Sequence, residues 1–146
     1  MKKSLTFLIM TILVVFAFSA NFAQAVPPKA NLLPSDYDPG ISWAKAVSLK
    51  KPIVVNFYVD WCGYCKRFAP ILDKLRQEYQ SKYTFVSINT EKPGNKKIAD
   101  NFMINGYPSL FLVNPKNDNR VFVNQRLYSD PKLLKKEFDR FLRVNK

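Results

Sequence analysis

The sequence runs to 146 residues with two cysteines, no histidine and a formal charge of +12. A zinc or iron–sulfur site asks for about four ligands, and covalent haem asks for a histidine directly after the second cysteine, where this chain has Lys66, so the composition argues against both. The charge invites a nucleic-acid reading, but Lys and Arg are scattered without a basic, aromatic-interleaved stripe; a solvated basic surface is the better account, with attraction to anionic surfaces or acidic partners left open.

Met1-Lys2-Lys3-Ser4 is a short basic head, Leu5 to Phe18 is almost wholly apolar, and Ala23-Gln24-Ala25 ends the segment. A charged start, an apolar middle and a small-x-small end make up a secretory signal peptide. The apolar run falls short of the about 20 residues of a membrane span. We expect cleavage after Ala25, with an uncleaved N-terminal anchor as the alternative. Either outcome puts the working domain in the periplasm or another extracytoplasmic space, where disulfides persist. Without residues 1–25 the formal charge falls to +10 and 121 residues remain, which suits one domain with a core of its own.

Val26 to Gly40 carries Pro27, Pro28, Pro34, Pro39 and Gly40, and predicts an extended linker before a domain at 41–146. Ser42 is a candidate cap for a short helix through Trp43, Ala46, Val47 and Leu49, ended before Pro52. Ile53 to Val59 is nearly continuous in apolar residues, as in a strand buried on both faces. A helix to about Gln80 follows, with Phe68, Ile71, Leu72, Leu75 and Tyr79 at helical spacing. Pro70 lies inside it, removing one N–H and predicting a kink near Lys66. Tyr83 to Asn89 reads as a second strand, Thr90 to Asn95 as a loop, and Ile98, Ala99, Phe102 and Met103 as a short helix. Ser109 to Asn114 and Val121 to Val123, separated by turn residues 115–119, predict a hairpin. Asp130 as N-cap and Pro131 at the first helical position open a last helix with Leu133, Leu134, Phe138, Phe141 and Leu142 on its apolar face. The alternation predicts a sheet with helices on both faces and an antiparallel hairpin at its end.

Cys62 and Cys65 stand between the first strand and the long helix. Positions i and i+3 of a helix lie about 5 Å apart at Cα, within the range a disulfide spans. Orphan N–H groups and the helix dipole favour a thiolate on Cys62, with Lys66 and Arg67 adding positive charge. A purely structural disulfide closing so short a loop would constrain the unfolded chain little. Redox chemistry is the stronger reading, and Cys-x-x-Cys beside a strand–helix–strand pattern is a known signature of it.

Asp60-Trp61-Cys62-Gly63-Tyr64-Cys65-Lys66, then Ala69-Pro70-Ile71-Leu72, and later Gly106-Tyr107-Pro108-Ser109, resemble the thioredoxin family over roughly Ile41 to Leu142. The resemblance is nearest to exported thioredoxin-like proteins, whereas the Gly63-Tyr64 dipeptide resembles periplasmic disulfide isomerases. It implies an α/β thioredoxin fold, a central mixed β-sheet of about four to five strands flanked by helices on both faces. It further implies Cys62 as the exposed attacking thiolate, Cys65 as the resolving thiol, and Trp61, Gly63, Tyr64, Tyr107 and Pro108 as the substrate-binding surround. Pro108 matches the family's cis-proline, which would leave the Tyr107 backbone to pair with an extended peptide.

Three departures qualify the match. Asn56 stands where thioredoxins usually carry a buried aspartate that takes the proton of the second cysteine, which leaves water or Asp60 as the base. Tyr64 replaces a common proline. Arg126 and Leu127 fall where many thioredoxins have a groove-lining glycine. The expected function is an exported protein-disulfide oxidoreductase acting as a reductase or electron relay, its redox group the Cys62–Cys65 disulfide and no other cofactor or metal. Its expected partners are protein thiol/disulfide substrates and an upstream dithiol donor, with a membrane protein as one candidate, and it is expected to be monomeric and to bind no nucleic acid. A disulfide isomerase or oxidase of the same fold is the alternative, and a peptide-binding or assembly module with an incidental disulfide is the alternative from another class.

Overall fold

The computed structural model describes residues 32–145; the expected signal peptide at 1–25 and the first part of the linker lie outside them. Helix α1 (Trp43–Ser48) begins where the Ser42 hydroxyl accepts the Lys45 N–H at 3.4 Å. Strand β1 (Ile53–Tyr58) is buried throughout, as its unbroken apolar composition requires. Helix α2 (Gly63–Tyr79) runs on through Pro70. Strand β2 (Thr84–Asn89), helix α3 (Lys96–Asn101), and strands β3 (Ser109–Asn114) and β4 (Asn119–Phe122) follow. Helix α4 (Pro131–Val144) opens on Asp130, whose carboxylate accepts the N–H groups of Lys132 and Leu133 at 2.9 and 3.2 Å.

The four strands form one mixed sheet in the order β2-β1-β3-β4. β1 runs parallel to β2, with Val55 opposite Val86, and antiparallel to β3, with Val55 opposite Phe111. β3 and β4 form the predicted antiparallel hairpin. Alternation along β1 then divides two cores. Val54 joins Phe68, Leu72, Leu75, Tyr83, Phe138 and Phe141 under α2 and α4. Ile53, Val55 and Phe57 join Ala46, Ala99 and Phe102 under α1 and α3. Asn56 and Tyr58 share the parity of Val54 and so face α2. Two tyrosines tie the first core to the backbone: Tyr83 donates to the Phe138 carbonyl at 2.8 Å, and the Tyr128 hydroxyl accepts the Leu110 N–H and donates to the Val123 carbonyl.

The segment before α1 is packed rather than simply extended. Pro34–Asp36 forms a 3₁₀ turn, and Gly40 then bridges antiparallel to Val86 on the outer edge of β2. Ile41 N–H donates to the Phe85 carbonyl at 3.1 Å and Ser87 N–H to the Pro39 carbonyl at 2.7 Å. Gly40 is required at that crossing, since its φ is +75° and a Cβ would lie 2.0 Å from the Phe85 oxygen. The short arm thus covers a sheet edge that would otherwise present free backbone groups.

Candidate active site

The end of β1 delivers Cys62 as the N-cap of α2, its sulfur accepting the Cys65 N–H at 3.2 Å. The four-residue motif therefore sits on the orphan N–H end of a 17-residue helix. Both cysteines are free thiols. The Cys62 thiol also reaches the Tyr107 carbonyl at 3.6 Å, so the segment leading into β3 closes over the motif. The Tyr107–Pro108 peptide bond is cis, as the resemblance implies.

One expectation needs correction. The resemblance implied an exposed Cys62, yet the residue is only 7% exposed against 2% for Cys65. It is covered because Tyr58, Val59 and Tyr107 pack with both cysteines in one apolar cluster. The two thiols differ in surroundings more than in access. Burial, and then the hydrogen bond with Cys62, push the Cys65 thiol from its ordinary 9.0 up to about 12, so at neutral pH Cys65 keeps its proton.

The rim is aromatic. Trp61 is 70% exposed, donates its indole N–H to Glu91 at 2.9 Å, and meets Tyr107 edge-to-face at 6.4 Å. Tyr64, also exposed, carries the Arg67 guanidinium 4.5 Å over its ring. Gly63 is exposed, and a Cβ there would make only ordinary contact with Arg67. Pro108 is buried, its carbonyl accepting from Gln125 at 2.9 Å. Gln125 belongs to a 3₁₀ turn, Gln125–Leu127, that places exposed Arg126 outside and packs Leu127 against the core. All seven residues singled out in the sequence thus lie around the start of α2 or on the segment facing it.

Sequence reading missed the supports. Thr90 donates to the Tyr107 hydroxyl at 2.8 Å, so the loop after β2 holds Tyr107 with one residue and Trp61 with the next. Nothing in their local sequence marks Thr90 or Glu91. Asp60, the alternative base for Cys65, instead directs its carboxylate to the Ser35 N–H at 3.0 Å and the Asn89 amide at 3.1 Å.

Residues 39–135 match the family model for thioredoxin. The chain is 32% identical over 87 residues to the thioredoxin-like protein HCF164, chloroplastic, of Arabidopsis thaliana, covering 60% of this chain and 33% of that protein. It is 38% identical over 62 residues to a protein disulfide-isomerase of Medicago sativa, covering 42% of this chain and 12% of that protein. Among solved structures, mitochondrial thioredoxin 3 of Saccharomyces cerevisiae superposes with a TM-score of 0.53 at 23% identity, over 71% of this chain and 94% of that one. The chain belongs to the thioredoxin family. It spans a third or less of the length of these two curated relatives.

Proposed function

We propose that the protein is an exported thiol–disulfide oxidoreductase that works as a reductase or electron relay through Cys62-Gly63-Tyr64-Cys65. The observation that carries the reading is the unequal placement of two adjacent thiols. Cys62 caps a helix with its sulfur on the Cys65 N–H, while Cys65 lies one turn on, buried and held protonated. Export rests on the basic, apolar and small-residue pattern of residues 1–25.

In this reading the Cys62 thiolate attacks a substrate disulfide, forming a mixed disulfide and releasing one substrate thiolate, which takes a proton from water. Cys65 then gives up its proton and attacks the Cys62 sulfur. The Cys62–Cys65 bond forms, the Cys62–substrate bond breaks, and the second substrate sulfur leaves as a thiol. Two electrons pass to the substrate, and an upstream dithiol protein, for which a membrane protein is a candidate, restores them. Trp61, Tyr64 and Tyr107 offer the surface on which an extended substrate segment rests, with the Tyr107 backbone as its pairing edge. No cofactor beyond the dithiol takes part.

Equilibration of the pair against glutathione or a thioredoxin standard tests the direction. A potential near about −270 mV supports a reductase, and one near about −120 mV overturns it in favour of disulfide donation. Isomerase activity is the second reading, favoured by the Gly63-Tyr64 dipeptide and the match to a disulfide isomerase; refolding of a scrambled-disulfide protein without added reductant would support it. A Cys62→Ser variant that keeps full function in cells would overturn both and leave a peptide-binding module.

A further inference from the structure

The chain has six arginines, and their partners divide them. Arg76 binds Asp38 on the arm at 2.8 Å and Asp73 at 2.9 Å, Arg120 binds Asp118 at 2.8 Å, and Arg140 binds Glu137. Arg143 stands in the last turn of α4, where the helix dipole favours a cation. Arg67 and Arg126 are exposed, and neither meets an acid among the described residues. Both of these stand at the dithiol.

Arg67 lies in α2 just after Cys65, with its guanidinium 4.5 Å over the Tyr64 ring. The ring covers one face of the planar group, and no described protein acceptor takes its edge N–H donors. A carboxylate matches that free edge, since it can accept two of those donors at once. Arg126 sits in the Gln125–Leu127 turn, which is braced at three points. Asn124 Oδ1 accepts the Arg126 N–H at 2.9 Å, the Gln125 amide donates to the Pro108 carbonyl at 2.9 Å, and Leu127 packs against the first core. Arg126 is thereby held beside the cis peptide of Tyr107, whose carbonyl lies 3.6 Å from the Cys62 sulfur. A segment that runs along Tyr107 with its cysteine at Cys62 has one arginine on the α2 side and the other on the 3₁₀ side.

The acids of the same rim are engaged elsewhere. Glu91 accepts from the Trp61 indole at 2.9 Å, Asp60 takes the Ser35 N–H and the Asn89 amide, and Asp130 caps α4. Lys66 and Lys92 are exposed and add to the positive sign. A merely solvated basic surface leaves its cations loose in water, whereas here one is stacked on an aromatic ring and the other stands on a braced turn. We propose that this rim selects substrate disulfides whose cysteine is flanked by acidic residues, with Arg67 and Arg126 as the pair that determines specificity. The proposal rests on the oxidoreductase reading above and names the substrate class of that site. Both arginines act on the approach and register of the substrate segment, where complementary charge speeds encounter and like charge repels. The sulfur exchange that follows keeps the bonds, electrons and protons already given.

The test uses symmetrical peptide disulfides that are identical except that the residues on each side of the cysteine are aspartate, serine or lysine. The reduced protein reduces each in a single turnover at low salt. Each rate is divided by the rate with dithiothreitol, an uncharged dithiol, which removes the peptide's own reactivity. The wild type should reduce the aspartate peptide roughly tenfold or more faster than the serine peptide, with the lysine peptide slowest. Arg67→Gln with Arg126→Gln should bring the rates within about twofold of one another, and Arg67→Glu with Arg126→Glu should favour the lysine peptide. Equal wild-type rates overturn the proposal, as does a preference that the double glutamine variant keeps. Lys136→Gln with Arg143→Gln removes the same charge from α4, which meets the far end of α2 through Lys135 and Glu78 and the far end of β3 through Asn145 and Asn114. An equal loss of preference in that variant overturns the proposal in favour of steering by the whole basic surface. A wild type that reduces none of the peptides overturns the oxidoreductase reading, and affinity for linear peptides with serine in place of cysteine then decides the rim alone. Tighter binding of the aspartate peptide, lost in the double glutamine variant, upholds the rim, and equal binding overturns it.

Discussion

The two sides of the first turn of α2 are built to opposite rules. On the outer side Trp61 and Tyr64 are about 70% exposed, each with one polar tether, Glu91 to the indole and Arg67 over the phenol. On the inner side Cys65, Tyr58 and Asn56 are buried, and the polar atoms among them are few. The outer side leaves aromatic area in solvent. The inner side hides a thiol from water and so holds its proton. One helix turn thereby separates a sulfur that caps the helix from a buried thiol that keeps its proton.

The sharpest way to break that contrast is to remove one sulfur at a time. Cys62→Ser should abolish disulfide reduction, whereas Cys65→Ser should stall with substrate bound covalently, visible as a mass adduct lost on adding a small thiol. Loss of activity in both without any adduct would mean that the two thiols do not have distinct roles.

The next effects fall on stability. Tyr128→Phe removes a hydroxyl that serves the Leu110 N–H and the Val123 carbonyl at once, and leaving both unsatisfied should cost about 1–3 kcal/mol in chemical denaturation. Gly40→Ala sets a Cβ against the Phe85 oxygen at a positive φ. It should free the arm at a cost of about 1–3 kcal/mol, with exchange of the Ile41 and Ser87 amides rising before that of the central strands.

The inner side also predicts a pH dependence. Burial raises Cys65 from 9.0 to about 12, so the folded reduced protein holds a proton that the unfolded chain releases first. Its stability contribution is whole below about pH 9 and is lost as pH rises towards 12. Tyr79, also raised to about 12 by burial, falls in both redox forms. The melting temperature of the reduced protein minus that of the oxidised one, followed from pH 8 upward, should therefore fall for the thiol's part alone, becoming less positive or more negative, and a pH-independent difference would contradict the buried-thiol account. The smallest effect belongs to the outer side. Glu91→Gln keeps an acceptor for the Trp61 indole but drops the charge, weakening that hydrogen bond by about 1 kcal/mol or less. A few-fold change in KM with kcat unchanged is the expected result.

Much of this was written locally. Ser42 and Asp130 cap helices within three residues of themselves, Pro131 stands where a missing N–H is harmless, and Ser109–Asn114 is bounded as its apolar run is bounded. The dithiol was legible because its spacing and its place between a strand and a helix are properties of a few adjacent residues. Glycine at position 40 marked only a turn, although its purpose is a contact with Phe85 far along the chain.

Tertiary structure decided what depends on distant partners. Strand order places β1 between β2 and β3, which sets Asn56 against α2 with its oxygen unmet by any protein donor. Packing of Tyr107 against the motif covers Cys62, which helix position alone would leave open. Thr90, Glu91 and Arg76 acquired their roles only when a loop, an indole and an arm met in space. Capping and spacing act over one turn of chain, so a sequence displays them; burial and hydrogen-bond satisfaction are sums over neighbours that folding alone brings together.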